Sequence, residues 1–298
     1  VLPPAERLPA GTHDVLVAPR SQPTGGLFVL PDKVWASGVL LDAPAASTGE
    51  ARAASPWFIF VGTGVASDGK VVFRSSPRRD LILRTDIRTG ESLPSFTVPA
   101  GTYPQGLLYA GGSLWVAARD VSAVLRLDPT SGKVGGQVAG RASGLQWAFG
   151  NLWISTTDSV LRVDPATLAV KATIALPPTL GQPAGMAATA TSVWVAGSGV
   201  LFRIDARTNT LTKIVTMDGT AYGPLADGST VWLVAGNDIT TGGTVKPASL
   251  LQLRDDGTVA HRYPLAAGEI DGGLALAGGR LWVLAYDFAR LTVVPLPR

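Results

Sequence analysis

Short apolar runs recur along the chain, and turns rich in Gly, Asp, Thr and Pro separate them. Most of these runs carry a tryptophan flanked by Leu, Val or Ile, side chains that are typical of β-strands. Runs with the three- and four-residue spacing of an amphipathic helix are hard to find. The pattern therefore predicts an all-β protein of many short strands. The clearest copies lie at 113–116, 151–154, 192–195, 230–233 and 280–283.

A fixed glycine spacing identifies these runs as repeats. A glycine stands nine residues before each aromatic side chain, and the same spacing finds two weaker copies, at Trp35 and Phe73. The aromatic residues lie at positions 35, 73, 115, 153, 194, 232 and 282. Their separations are near the ~40–45 residues of a four-stranded propeller blade. We therefore predict a seven-bladed β-propeller of four-stranded antiparallel blades, with one aromatic side chain in each blade filling the space between sheets.

A third landmark follows the aromatic residue in four repeats. A strand ends in Arg-x-Asp and leads into a turn, with the aspartates at Asp86, Asp128, Asp164 and Asp205. An Asp side chain can cap such a turn, and a later Gly or Asn accepts the positive φ. We interpret this as a hairpin between the third and fourth strands. Because the Arg–Asp pair repeats, it favours a structural contact over a ligand clamp.

The two ends of the chain complement each other. The last repeat supplies only three strands before the chain ends, whereas the N-terminal segment 1–24 contains an apolar strand at about residues 13–18. Pairing of this strand with the last blade would close the ring and protect the sheet edges. We predict one propeller domain over residues 1–298.

Composition and charge exclude several classes. There is no cysteine among the 298 residues, which rules out disulfides, a thiol nucleophile and thiolate-bound metal. The net charge is only +3 without a Lys/Arg-rich run, which argues against nucleic acid. No apolar run approaches the ~18–20 residues of a membrane span. Many Thr, Ser, Gly and Ala with few Lys and Glu indicate an extracytoplasmic protein, whether secreted, periplasmic or on the cell surface.

The Gly-x-Leu-Trp-Val pattern around Trp115 and the Leu-Arg-Leu-Asp-Pro pattern around Asp128 resemble the YVTN/YncE-like and virginiamycin B lyase-like bacterial propeller superfamily. The resemblance covers the chain from Gly26 onward. It implies the fold, on which binding proteins, sensor domains and a few enzymes are built. Its lyases look to use a His and a Glu with Mg²⁺ on one propeller face. The two histidines here, His13 and His261, fall on predicted strands, so the lyase His is not matched.

Ligand sites on propellers gather where the loops between blades, and between the second and third strands, open at the channel mouth. Repeats two to four place mostly arginines in these loops, and repeats five to seven mostly carboxylates, which would orient a charged or zwitterionic partner. Ordinary solvated loop charge is the alternative. The candidate ligand-binding residues are Arg74, Arg78, Tyr103, Arg119, Arg141, Trp147, Asp218, Tyr222, Asn237, Asp238, Glu269, Asp271, Tyr286 and Asp287.

Three functions stay open. The first is a non-catalytic binding or scaffold propeller for a protein, peptide or glycan, with no catalytic residue, metal or cofactor. The second is a lyase or hydrolase in which the carboxylates Asp218, Glu269, Asp271 and Asp287 hold Ca²⁺ or Mg²⁺ or act as an acid–base pair. The third is a structural subunit of a cell-surface complex, bound through blade edges. The ligand and the oligomeric state are left open.

Overall fold

β-Strands and two short 3₁₀ turns make up the regular structure of the part of the chain that the computed structural model describes. The all-β prediction is therefore confirmed. The chain divides into two compact units, of which unit 1 contains Val1–Ala54 and Met186–Arg298, and unit 2 contains Ser55–Gly185. The described residues are 2–16, 27–29, 33–36, 39–42, 52–53, 64–181, 183, 185–216, 221–236, 248–265, 273–284 and 290–296.

The N-terminal part of unit 1 forms short strands that join different sheets. The second, third and fourth strands make a three-stranded sheet with Trp35 on its middle strand, here called the Trp35 sheet. The first and fifth strands join a sheet near the other end of the chain. The strands are β1 (His13–Leu16), β2 (Leu27–Val29), β3 (Lys33–Ala36), β4 (Val39–Asp42) and β5 (Arg52–Ala53).

Unit 2 contains three four-stranded antiparallel blades, each named after its central aromatic residue. In every blade the strands a, b, c and d follow chain order, with the aromatic residue on strand b. The Phe73 blade contains β6 (Val65–Ser67), β7 (Val71–Ser76), β8 (Leu81–Asp86) and β9 (Ser92–Thr97). The Trp115 blade contains β10 (Pro104–Ala110), β11 (Ser113–Ala118), β12 (Ala123–Leu127) and β13 (Val134–Ala139). The Trp153 blade contains β14 (Gly144–Ala148), β15 (Asn151–Ser155), β16 (Ser159–Val163) and β17 (Val170–Ala175).

Three more blades follow in the C-terminal part of the chain. The Trp194 blade contains β18 (Gly185–Ala188), β19 (Ser192–Gly197), β20 (Val200–Asp205) and β21 (Thr210–Thr216). The Trp232 blade contains β22 (Ala221–Asp227), β23 (Thr230–Ala235), β24 (Ser249–Arg254) and β25 (Val259–Pro264). The Trp282 blade contains β26 (Gly273–Ala277), β27 (Arg280–Leu284) and β28 (Arg290–Pro295). β1 pairs antiparallel with β28 on its outer edge, and β5 pairs with β26.

The prediction of seven four-stranded blades is wrong, because six blades have four or more strands in the described part of the chain. In the described residues of the first repeat, centred on Trp35, β2, β3 and β4 form a three-stranded sheet. After β4 the sequence is rich in Ala, Pro, Ser and Gly, which are poor strand formers. The next strand, β5, pairs with β26 of the Trp282 blade and so does not extend the Trp35 sheet.

The central aromatic side chains of the six blades are core residues. The exposed fraction is 0% for Phe73, Trp153 and Trp194. The Trp153 indole N–H donates to the Ala148 carbonyl at 3.1 Å, which satisfies its polar atom within its own blade. Burial of such large rings supplies the packing between neighbouring sheets.

Gly64, nine positions before Phe73, lies where a side chain would not fit. A Cβ atom on Gly64 would lie 2.5 Å from the backbone nitrogen of Leu107 on β10. The Gly64 N–H donates to the Ser75 hydroxyl at 2.6 Å, and that hydroxyl donates to the Gln105 carbonyl at 2.9 Å. The backbones of the Phe73 and Trp115 blades therefore approach too closely here for a side chain.

The blades of unit 2 have two different ends. The hairpin end contains the a–b and c–d turns, and the loop end contains the b–c turns and the connections to the next blade. At the hairpin end, the Asp128 carboxylate accepts the backbone N–H of Thr130 at 3.1 Å and of Ser131 at 2.7 Å. The Ser131 N–H is the largest cause that holds the pKa of Asp128 below its usual range. Arg126 donates from the Trp115 blade to the Pro165 carbonyl of the next blade at 2.7 Å.

Candidate functional site

Five of the predicted ligand residues lie in unit 2, at or near the loop end. Arg78, Arg119 and Arg141 are exposed in loops, and Tyr103 is partly buried in the connection that precedes β10. Arg74 lies within β7 opposite Leu83 and is partly buried. Among the described residues, the predicted site residues therefore lie together at the loop end of unit 2. The hydrogen bonds of this end position them.

Asp80 organises the first part of the loop end. It follows the 3₁₀ turn Pro77–Arg79 and has the left-handed φ of 50°. Its carboxylate accepts the Gly101 N–H and the Tyr103 N–H, both at 2.8 Å. Its carbonyl accepts the Val98 N–H at 3.0 Å. Asp80 thus fixes the connection between the Phe73 and Trp115 blades to the b–c turn that carries Arg78.

Tyr103 and Arg119 form the centre of the loop end. Tyr103 also has a left-handed φ, of 48°, a conformation that costs energy for a residue with a Cβ and is maintained here by Asp80. The Tyr103 carbonyl accepts the Arg119 N–H at 3.3 Å. The Arg119 guanidinium lies 5.3 Å from the centre of the Tyr103 ring, within the range of a cation–π contact. Its Nε is 3.8 Å from an Asp120 carboxylate oxygen.

Backbone hydrogen bonds continue from Arg119 to Arg141. The Arg119 carbonyl accepts the Ser122 N–H at 3.2 Å, and the Ser122 carbonyl accepts the Gly140 N–H at 2.8 Å. Gly140 immediately precedes Arg141, which is exposed. Between Arg119 and Ser122 stands Val121, whose exposed fraction of 48% is large for an apolar residue. The chain of contacts from Asp80 to Gly140 thus presents arginines from neighbouring blades on one end of unit 2.

This end of unit 2 carries an excess of positive charge. Five arginines, counting Arg74 and Arg79, stand against three aspartates, which leaves two positive charges. Within the described residues, Arg119 alone of the five has a carboxylate within 4.0 Å. The Asp158 carboxylate accepts hydrogen bonds from the hydroxyls of Thr156 and Ser159. We call the exposed part of this end the loop-end surface, formed by Arg78, Arg79, Tyr103, Arg119, Val121 and Arg141.

The structure does not bring Trp147 together with these residues. It lies on β14 opposite Leu152, one residue before the a–b turn, and so near the hairpin end. A Cβ atom on Gly111 would lie 2.4 Å from its ring, which shows that the ring packs against the a–b turn of the neighbouring Trp115 blade. Trp147 is partly buried among core side chains that include Leu145.

The remaining predicted residues belong to unit 1. Tyr222 lies on β22, where its backbone pairs with Val234. The others lie outside the described residues and stay predictions. They are Asp218, Asn237, Asp238, Glu269, Asp271, Tyr286 and Asp287.

The two histidines lie on strands. His13 belongs to β1, and its Nδ1 is 3.0 Å from the Gly11 carbonyl. His261 belongs to β25, where its Nδ1 is 3.1 Å from a Glu6 carboxylate oxygen and its ring stacks on Tyr263. Among the described residues, no group of three His, Asp or Glu could hold a metal ion.

A partly buried carboxylate in unit 1, that of Asp255, has a structural role. Asp255, in the c–d turn of the Trp232 blade, accepts the Thr189 hydroxyl at 2.7 Å and the Thr191 hydroxyl, both from the Trp194 blade. Burial raises the pKa of Asp255, but the Thr191 and Thr189 hydroxyls and the charge of Arg203 outweigh it, so that the net shift is downward. This carboxylate joins two blades and stays ionised, which is not the environment of a general acid.

Sequence reasoning missed two residues of the loop end. Asp80 was not predicted, although an Asp after Pro77 and two arginines is a common turn signal. Val121 was not predicted either, since only its exposed fraction distinguishes it from the many core valines. No spacing rule identifies such residues, because the loops that carry them do not repeat.

None of the helical segments in the described part of the chain has the length and apolar character of a membrane span. No protein-family model matches the chain, and no curated protein matches its sequence.

Solved structures match the fold. A catalytically inactive virginiamycin B lyase from Staphylococcus aureus, with quinupristin, aligns with a TM-score of 0.69 at 16% identity, over 96% of this chain and 100% of that chain. Hydrazine synthase from Kuenenia stuttgartiensis aligns with a TM-score of 0.65 at 13% identity, over 82% of this chain and 77% of that chain. BamB from Moraxella catarrhalis aligns with a TM-score of 0.54 at 12% identity, over 95% and 98% of the two chains. Such identities show the fold alone, which is that of a β-propeller.

Proposed function

We propose that the chain is a non-catalytic binding propeller that works outside the cytoplasm and recognises a negatively charged protein, peptide or glycan through its loop-end surface. The observation that carries this proposal is the set of exposed arginines Arg78, Arg79 and Arg141, which have no carboxylate within 4.0 Å among the described residues. Guanidinium groups on fixed loops are well suited to carboxylate and other anionic groups.

One feature favours binding by a preformed surface. The loops are tied to each other by the Tyr103 N–H, which donates to the Asp80 carboxylate, and by the Gly140 N–H, which donates to the Ser122 carbonyl. Loops fixed on a rigid scaffold lose little conformational entropy when a partner binds. The composition, rich in Thr, Ser, Gly and Ala, supports the extracytoplasmic location.

The lyase alternative has less support. The chain aligns with virginiamycin B lyase in fold, but His261 lies on the outer strand β25 beside Glu6. His13 and His261 both belong to unit 1, and His13 lies on strand β1. The carboxylates proposed for a divalent cation lie outside the described residues, so that the metal-dependent reading stays a prediction.

Capture of partners tests the proposal. The full chain is immobilised and exposed to an extracytoplasmic fraction in three forms: wild type, a loop-end variant (Arg78→Gln, Arg119→Gln, Arg141→Gln) and a hairpin-end variant (Lys70→Gln, Arg88→Gln, Lys133→Gln). Both variants lose three exposed positive charges from unit 2. We expect quantitative mass spectrometry to find the same partner with wild type and the hairpin-end variant, and not with the loop-end variant. Equal capture by the loop-end variant would contradict the proposal.

A metal titration separates binding from metal-dependent catalysis. We expect the melting temperature to stay unchanged in millimolar Ca²⁺ or Mg²⁺. A rise of several degrees would indicate a bound cation and would favour the lyase or hydrolase alternative.

A further inference from the structure

The loop-end surface combines charged and apolar groups. Val121 lies two residues after Arg119 in a b–c turn, and the Ser122 carbonyl of that turn accepts the N–H of Gly140, which precedes Arg141. The Arg119 guanidinium lies over the Tyr103 ring. Tyrosine and arginine are, with tryptophan, the residues that most often dominate the energy of protein interfaces. The exposed Val121 would gain from contact with an apolar group of a partner. A ligand that fits must therefore carry both anionic groups and an apolar side chain.

The combination of arginines with the apolar surface of Tyr103 and Val121 distinguishes between classes of partner. A polyanionic sugar offers regular negative charge to the arginines, but it has no aliphatic or aromatic side chain for Val121. An acidic peptide offers both, because alternate residues of an extended segment point to one side at intervals of about 6.6 Å. The net charge of this end, two positive charges in excess, is complementary to such a segment.

The backbone geometry of Tyr103 indicates a preorganised contact point for a partner. Its left-handed backbone, with φ of 48°, is maintained by the Asp80 carboxylate, and the preceding Thr102 donates its N–H to the Pro99 carbonyl and accepts the Asp120 N–H. The strain at a non-glycine residue persists because the surroundings over-determine it, and strain of this kind clusters at binding sites. The Tyr103 backbone is therefore held in place before a partner arrives, and it presents the ring to the Arg119 guanidinium.

We propose that the loop-end surface binds an acidic, extended peptide segment of a protein partner. Its carboxylates contact Arg78, Arg119 and Arg141, and an apolar side chain between them contacts Tyr103 and Val121. This inference rests on the proposed function and specifies the chemistry of the partner.

Fluorescence anisotropy with synthetic probes tests it. The probe is a fluorescein-labelled peptide with the sequence Gly-Asp-Glu-Phe-Glu-Asp-Gly. Two matched probes replace either the acids by their amides (Gly-Asn-Gln-Phe-Gln-Asn-Gly) or the phenylalanine by alanine. Labelled polygalacturonate represents an anionic glycan. All four are titrated with the full chain, its loop-end variant and its hairpin-end variant at low and high salt.

We expect the acidic phenylalanine peptide to bind wild type and the hairpin-end variant within about twofold of each other, and the loop-end variant at least ~10-fold more weakly. The amide peptide should lose at least ~10-fold, and the alanine peptide about fivefold. Higher salt should weaken binding of the acidic probe, because exposed charges are screened.

Three outcomes overturn the inference. Equal binding of the acidic and amide peptides shows that charge does not select the partner. Tighter binding of polygalacturonate, with no effect of the phenylalanine, identifies an anionic glycan as the occupant. The third is an unchanged affinity of the acidic peptide for a Tyr103→Ala, Val121→Ser variant that keeps the wild-type melting temperature. This result shows that the two side chains do not form an apolar anchor. If the loop-end variant loses its cellular partner yet any of these results is obtained, the proposed function survives and the acidic-peptide inference fails.

Discussion

Different hydrogen bonds hold the residues of positive φ at the two ends of the blades in unit 2. At the hairpin end, Gly90, Gly132 and Leu168 have φ of 73°, 73° and 63°, and each donates its N–H to the carbonyl of the aspartate that begins its own c–d turn. At the loop end, positive φ values fall on Asp80, Tyr103 and Ser122 and on the glycines Gly101 and Gly140. The Gly101 and Tyr103 N–H groups donate to the Asp80 carboxylate from the connection to the next blade, so that the contact is not confined to one turn.

The side-chain hydrogen bonds of the aspartates also differ between the hairpin end and the loop end. The turn aspartates Asp86, Asp128 and Asp164 each accept two backbone N–H groups two and three residues ahead. These contacts repeat from blade to blade and serve the fold. At the loop end, Asp80 reaches the next blade, whereas Asp158 bonds its own turn. Repetition therefore indicates structure, and departure from the repeat indicates the candidate site.

The largest expected effect is at the hairpin end. Gly132→Ala has two costs. The new Cβ strains a backbone with φ of 73°, and it lies 2.4 Å from the Phe96 ring. We expect a loss of about 3 kcal/mol of unfolding free energy, measured by urea denaturation. Gly90→Ala is the matched control, with the same φ and nothing within 4 Å of the new Cβ, and should lose about 1 kcal/mol. Equal losses would show that Phe96 does not pack on this turn.

The next largest effect is at Arg126. Its guanidinium donates to the Pro165 carbonyl at 2.7 Å, to Ala166 at 3.3 Å and to Gly135 at 3.0 Å. Arg126→Gln should therefore lose about 1.5 kcal/mol of unfolding free energy, because charged hydrogen bonds between blades disappear. The exposed Arg88→Gln at the same end serves as control and should stay close to wild type. A wild-type stability for Arg126→Gln would contradict the bridging role.

A smaller, pH-dependent effect is expected at Asp255 in unit 1. Its pKa in the folded state lies below the ordinary value because hydroxyls of Thr191 and Thr189 and the charge of Arg203 outweigh burial. A lowered pKa contributes stability that is present above the unfolded-state pKa and is lost as the pH falls through the folded-state pKa. Asp255→Asn should cost about 1 kcal/mol at pH 7, and the difference from wild type should shrink below about pH 3.5. A difference that stays constant with pH would exclude the carboxylate charge as its source.

The smallest effect on stability is expected at the loop end. Among the described residues, none of the side chains of Arg78, Arg119 and Arg141 makes a hydrogen bond between blades, and all three are exposed. The loop-end variant should keep its unfolding free energy within about 0.5 kcal/mol of wild type in urea denaturation. A loss comparable to that of Arg126→Gln would mean that these arginines also serve the fold.

The sequence predicts the parts of the fold that repeat. The spacing of Gly64 and Phe73 reflects a close backbone approach, and the Asp128 turn reflects local hydrogen bonds, so both can be read from the chain. The Trp35 repeat shows the limit of this reasoning. The spacing at Trp35 fits the pattern, yet the fourth strand depends on residues after β4, and β5 pairs with a distant strand, β26. Pairing over such a sequence distance leaves no local signal.

The loop end could be predicted only in part. Arg78, Arg119 and Arg141 follow from the register of the strands, since the loops fall between predicted strands. Tyr103 was also placed in a loop, but its left-handed backbone and the contact of Asp80 with it depend on the packing of two blades. Trp147 lies on β14 near the hairpin end and packs on the a–b turn of the neighbouring blade, a contact that depends on tertiary packing and has no signal in the repeat.

Hydrogen–deuterium exchange of the full chain, with and without saturating acidic phenylalanine peptide, shows whether the peptide binds at the loop end. We expect slower exchange at 99–103, 119–122 and 140–143, with no change in the hairpin turns at 86–90, 128–132 and 164–168. Protection in those hairpin turns, or unchanged exchange at the loop end under saturation, would contradict binding at the loop end.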